Sequence, residues 1–262
     1  MSVTKNSVLK WTLSLAIFAG LTSALVAEEK GADKPAKDDG WISLFDGKTL
    51  ENWDGNPEFW RVEDGTITGQ TTADKPTKGN TFIIWRGGDV ADFELKLQYK
   101  IIGGNSGIQY RSFEVEDNKW VVGGYQADFE AGDRYSGILY GERFRGILAD
   151  RGQKTEITRT EDKKKIQINV VGSVGDSNEI GSKIKKEDWN DYLITAKDFH
   201  FVHKINGVTT CEATDNEQQR RESGILALQL HAGPPMKVQF RNIQIRHTKK
   251  PAKKTAATVK KK

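Results

Sequence analysis

Apolar and polar residues alternate with a period of two along much of the chain. Successive side chains of a strand point to opposite faces, so each such run is read as a strand with one face toward a core. "DFELKLQYKI" (92–101) puts Phe93, Leu95, Leu97, Tyr99 and Ile101 on one side and mainly charged residues on the other. The same pattern predicts strands in "KIQINVV" (165–171), "YLITAK" (192–197), "GILALQLH" (224–231) and "KVQFRNIQIRH" (237–247). Glycines and Asp/Asn clusters punctuate these runs, and Asn206-Gly207 in "KINGV" is a strong hairpin signal. Only "TDNEQQRRES" (214–223) invites a short helix. The prediction is an all-β domain, a sandwich of two antiparallel sheets.

Three of the strands carry unusual chemistry on the face away from the core. "GYQADFE" (124–130) sets Tyr125, Ala127 and Phe129 against Gln126, Asp128 and Glu130. "SGIQYRS" sets Ile108 and Tyr110 against Gln109 and Arg111, and "LALQLHAG" sets Leu226, Leu228 and Leu230 against Gln229 and His231. A solvated sheet face tends to carry Lys, Glu and Thr. Amides beside His, Arg and Asp instead suit hydrogen bonding to a neutral, polyhydroxylated ligand. Alternation alone leaves open whether Gln109, Arg111, Gln126, Asp128, Gln229 and His231 share one sheet. Trp120 and Tyr125 are aromatic candidates to flank the ligand, although parity assigns Tyr125 to the core. Parity also predicts that Arg111→Ala and His231→Ala keep the fold, whereas Leu228→Ala opens a cavity.

Composition fits a folded domain, with 36% hydrophobic and 29% charged residues in 262. Residues 1–27 read as a secretory signal: Lys5 and Lys10 precede an apolar run from Trp11 to Val26, with cleavage after Ala24 or Ala27. A linker (28–39) leads to the domain at 40–247, and a Lys-rich low-complexity tail (248–262) follows. The chain is therefore expected to be exported, periplasmic or extracellular, with no stable membrane span. With the two leader lysines and the seven of residues 249–262 set aside, the net charge of +4 becomes −5. An acidic body without a basic stripe argues against nucleic-acid binding. The single cysteine, Cys211, excludes an intrachain disulfide and is read as a packed small side chain. "GGNSG" (103–107) precedes strand-like sequence rather than a helix, so it is a turn and not a phosphate loop.

A series of segments runs in order along the chain: "GWISLFDGKTLENWDG" (40–55), "FWRVEDGTITG" (59–69), "DFELKLQYKIIGGNSGIQYRS" (92–112), "GYQADF" (124–129), "YSGILYGE" (135–142), "WNDYLITAK" (189–197), "HKINGV" (203–208) and "GILALQLHAGPPMKVQFRNIQI" (224–245). Together they resemble the 3-keto-disaccharide hydrolase family. The resemblance implies a concanavalin A-like jelly-roll sandwich whose concave sheet binds a 3-keto-glycoside or 3-keto-disaccharide. Many family members carry "GYEVQ" where this chain has Gly124–Asp128, so Gln126 stands in place of Glu and Asp128 in place of Gln.

A ketone at C3 acidifies the C2 hydrogen; a base removes it, the C1 substituent leaves and water adds back. On this expectation Asp128 or His231 is the base, Arg111 and Gln126 stabilise the enolate, and Glu142 or the other of the first pair is the acid. Gln109, Tyr140 and Gln229 complete the sugar contacts. A non-catalytic carbohydrate-binding module is the alternative, because sandwiches serve lectins as well as enzymes. Asp128 or Glu142 with amide oxygens would also suit a divalent cation such as Ca²⁺.

Overall fold

The structure is a computed structural model that describes residues 39–115, 119–162 and 164–249. The signal (1–27), nearly all of the linker and the tail beyond residue 249 lie outside the described residues. The larger sheet has ten strands. Nine follow the order Ile166–Ser173, Gln153–Arg159, Val208–Asp215, His200–Ile205, Asn190–Lys197, Asp92–Ile102, Lys237–Lys249, Thr66–Gln70 and Trp60–Glu63, and Ile42–Ser43 pairs with Lys237–Lys249. The smaller sheet runs Gly146–Ala149, Leu139–Glu142, Val122–Glu130, Asn105–Glu114, Gly224–Leu230, Thr81–Val90 and Trp53–Asp54. All pairs are antiparallel except Gln153–Arg159 with Val208–Asp215. This is the predicted two-sheet jelly-roll sandwich.

The apolar faces read from the alternation meet between the sheets. Phe93, Leu95, Leu97, Tyr99 and Ile101 of the large sheet pack against Ile108, Tyr110, Tyr125, Ala127, Phe129 and Leu228 of the small one. The rings of Tyr99 and Phe129 lie 3.9 Å apart between centroids, and Tyr110 stacks on Tyr125 at 5.7 Å. Each large side chain so buried contributes on the order of 1.5–3 kcal/mol, which fixes the strand register because a one-residue slip would turn it to the other face. Cys211 is packed as expected, with Sγ 3.6 Å from His203 Nδ1, and the other ring nitrogen meets Tyr110 Oη at 3.0 Å. Burial holds this histidine neutral, its pKa pushed down to about 3, and raises the Cys211 thiol to about 12.

Two expectations are corrected. The α-helix among the described residues is Ser177–Gly181, capped by Asp176, whose carboxylate accepts from the backbone N–H groups of Asn178 and Glu179. Residues 216–223 form turns instead, because Asp215 and Glu217 are drawn into a buried ionic cluster with Arg145, and Arg159 also binds Glu217. The second correction concerns Arg111. A β-bulge between Tyr110 and Phe113 interrupts the alternation, and Arg111 takes φ = +46°. The bulge turns its side chain off the polar face and into the interior, where it is 0% exposed. Its guanidinium donates to the carbonyls of Ala91 (2.7 Å) and Asp198 (2.6 Å) and to Asp92 Oδ1 (2.9 Å).

Arg111 is therefore a structural residue, and the tolerance that parity predicts for Arg111→Ala is reversed. Removing one partner of a buried, hydrogen-bonded ion pair costs about 3–5 kcal/mol. Thermal denaturation should show Arg111→Ala lowered at least as far as Leu228→Ala, whereas a parental midpoint would contradict the interior placement.

Candidate functional site

The outer face of the small sheet holds a cleft of about 380 Å³. Five of the eight residues expected from the sequence line it: Gln126, Asp128, Tyr140, Glu142 and His231. Strand geometry explains the grouping. Gln126 and Asp128 are two apart on Val122–Glu130, Tyr140 and Glu142 are two apart on Leu139–Glu142, and the register sets Gln126 opposite Tyr140. Gln109 and Gln229 form the floor beneath them, each 0% exposed. Arg111 is excluded by its bulge.

A directional chain of amides links the two carboxyl groups. Ser112 Oγ donates to Gln109 Oε1 (2.7 Å), and Gln109 Nε2 donates to Gln126 Oε1 (2.6 Å). Gln126 Nε2 in turn donates to Asp128 Oδ2 (3.1 Å) and to Gln229 Oε1 (3.4 Å). The chain ends with Gln229 Nε2 on Glu142 Oε2 (3.3 Å). Each amide oxygen is occupied from behind, so each NH₂ must face forward, that of Gln109 toward Gln126 and those of Gln126 and Gln229 toward a carboxyl group. Room for the central amide comes from Gly107, where a Cβ would lie 2.4 Å from Gln126 Cγ. Both N–H bonds of Gln126 are thus committed, which removes it as a direct donor to a substrate oxygen.

Two asparagines that the alternation did not single out complete the arrangement. Asn105 Nδ2 donates to Asp128 Oδ1 at 2.7 Å. Asn80 Nδ2 lies 3.4 Å from Glu142 Oε1, while its Oδ1 accepts from Ala232 N at 3.0 Å. Asn105 was legible in principle, because residues 105, 107 and 109 share one strand face; reading "GGNSG" wholly as a turn hid it. Asn80 stands just before its strand, where period-two reasoning has no purchase. Glu130, also on the cleft wall, accepts from the backbone N–H groups of Arg134 (2.6 Å) and Tyr135 (2.9 Å), which shapes the loop that carries Tyr135 to the rim. Trp120 lies over a separate apolar patch of the same sheet, Phe82, Ile84, Val122 and Ala227, and Tyr125 is in the core.

The electrostatics of the two ends differ. Burial raises the Asp128 pKa to about 8, outweighing the donors Asn105 and Gln126, with the nearby Glu130 and Glu142 charges adding to the rise. Asp128 is therefore a neutral acid at pH 7. Burial, then the charges of Glu142 and Asp128, raises the Tyr140 pKa and keeps its hydroxyl a donor. His231 Nδ1 lies 2.5 Å from the carbonyl of Ala232. A carbonyl only accepts, so Nδ1 carries the hydrogen and Nε2 of the neutral ring keeps its lone pair. Metal ligation fits this arrangement poorly, since both carboxyl groups are met by amide N–H rather than amide oxygen. Among the described residues no group of three or more His, Cys, Asp or Glu is placed to hold a metal ion.

Residues 40–246 match the 3-keto-alpha-glucoside-1,2-lyase-like domain. The chain belongs to this family. A 3-keto-disaccharide hydrolase of Bacteroides thetaiotaomicron is 35% identical over 103 residues, covering 36% of this chain and 34% of the relative. The chain thus spans about a third of the length of the curated relative that it matches. Two crystal structures of candidate glycosyl hydrolases from Parabacteroides distasonis share the fold. One aligns with a TM-score of 0.51 at 19% identity, over 80% of this chain and 94% of the other. The second gives 0.50 at 22%, over 79% and 98%. The cleft lies on the seven-stranded sheet.

The Asp128 carboxyl makes this lyase-like domain's stability depend on pH in a defined direction. Its pKa is raised from about 3.9 in the unfolded chain to about 8 in the folded one. Between those values the unfolded chain releases a proton that the folded one retains, so the contribution of Asp128 is full below pH 4 and is lost as pH rises to 8. His203 acts in the opposite sense, losing stability as pH falls from about 6.5 toward 3. Comparing Asp128→Asn with the parent cancels the His203 effect. The melting midpoint of Asp128→Asn should gain on the parent steadily from pH 5 to 8, and a constant difference would contradict the raised pKa.

Proposed function

We propose that this domain is an exported carbohydrate-active hydrolase that cleaves 3-keto-glycosides, 3-keto-disaccharides among them, by elimination and hydration. Family membership supports the substrate class, and the apolar run of residues 11–26 behind Lys5 and Lys10 supports export. The observation that carries the chemistry is the pairing of a neutral carboxyl, Asp128, with an imidazole whose Nε2 is free, on one cleft.

His231 Nε2 is the base that takes the C2 proton. Asp128 donates a hydrogen bond to the C3 oxygen as it gains enolate charge, the task for which a carboxylic acid kept neutral at pH 7 is suited. Tyr140 Oη is a second donor. The imidazolium passes the C2 proton to the departing C1 oxygen. Glu142, held by Asn80 and Gln229, then takes a proton from the water that adds at C1 and delivers it to C2. Protons balance, and the sum is hydrolysis.

The test is release of the aglycone from a 3-keto-glucoside, with the unoxidised glucoside as control. The parent should cleave only the ketone and should place solvent deuterium at C2 when the reaction runs in D₂O. His231→Ala should lower kcat by about 10²–10⁴, the usual worth of a positioned base, with a near-parental melting midpoint because His231 is only half-buried at a strand end. Binding of glycans without turnover of any 3-keto-glucoside would instead make the domain a binding module.

A further inference from the structure

A second cavity of about 520 Å³ adjoins the cleft, and Asn80 lines both. Its wall differs sharply from that of the cleft. Phe59 and Trp120 give it an aromatic side, and Lys78, Lys119 and Arg143 give it three cations against a single carboxylate, Glu58. None of the three cations forms an ion pair among the described residues, although the body of the protein is acidic. The nearby Asp54 is already engaged, by Arg86 at 2.7 Å and by Trp120 Nε1 at 2.7 Å. Lys119 Nζ sits 4.1 Å from the Trp120 ring centroid, held over the aromatic face. Thr77 Oγ1, in the same wall, is shielded from solvent with no hydrogen-bond partner among the described residues. Arg143 follows Glu142 directly, at φ = +45°, so the backbone that presents the carboxyl group to the cleft presents a guanidinium group to the second cavity.

We infer that this cavity receives the leaving half of the substrate and selects one that carries a carboxylate, such as a uronic acid or a carboxylated aglycone. The inference rests on the proposed cleavage for its direction: the reacting ring lies in the Asp128 cleft with C3 toward Asp128, and C1 faces Glu142 and Asn80, where the two cavities join. The departing group then crosses Asn80 onto Trp120 and Phe59, with its carboxylate among Lys78, Lys119 and Arg143. The cations supply charge-assisted hydrogen bonds, and the aromatic faces supply a platform for a ring.

Paired substrates of equal shape separate charge from fit: the 3-keto-glucosides of 4-hydroxybenzoate and of 4-hydroxybenzamide. KM should be about tenfold lower for the carboxylate, the worth of one charge-assisted contact. In the triple variant Lys78→Gln, Lys119→Gln, Arg143→Gln that advantage of the carboxylate over the amide should vanish. Calorimetric titration with the unoxidised glucosides of the same two phenols reads the preference without turnover. Equal affinity for both, no binding of either, or a preference that survives in the triple variant would overturn the inference. Failure to cleave either 3-keto-glucoside would overturn the proposed function alone, since the titration still decides the charge preference.

Discussion

Gln126 is the hinge of the site. Its amide oxygen is held by Gln109 and its nitrogen reaches both Asp128 and Gln229, so one side chain fixes the spacing between two carboxyl groups on different strands. The arrangement works only because Gly107, directly opposite Asp128 in the register, leaves the space into which the Gln126 side chain folds. Asp128 receives two N–H donors, which favour its charged form, yet is buried deeply enough that desolvation prevails and the proton stays on.

The β-bulge at Arg111 ties this site to the fold. By opposing two residues to one on the neighbouring strand, it sends Arg111 inward to bind the carbonyls of Ala91 and Asp198, while Ser112 starts the amide chain through Gln109. The close approach of Gly224, where a Cβ would lie 2.3 Å from Ser112 O, lets the adjacent strand accommodate the distortion. A single backbone irregularity thus locks the end of the sandwich and orients the polar floor of the cleft.

The sandwich was legible because its strands are regular: Phe93 through Ile101 and Tyr125 through Phe129 alternate without interruption, and along Phe93–Ile101 burial follows the alternation. Much of the site was legible for the same reason, since Gln126, Asp128, Gln229 and Gln109 keep parity with their apolar neighbours. Arg111 was not, because a bulge changes parity without leaving a mark in the residue types around it. The helix at Ser177–Gly181 is a five-residue turn capped by Asp176, too short to carry an apolar period of its own. Asn80 enters through a tertiary contact with Glu142, 62 residues away in the chain, which no local pattern encodes.

The chemistry of the cleft depends on Asp128 being protonated in the folded protein at neutral pH. ¹³C NMR of protein labelled at aspartate Cγ measures this directly, with the Asp128 resonance assigned by its absence from Asp128→Asn. One aspartate carboxyl, assigned to Asp128, should titrate near pH 8. A resonance for Asp128 that titrates near the ordinary value of about 4 would contradict it.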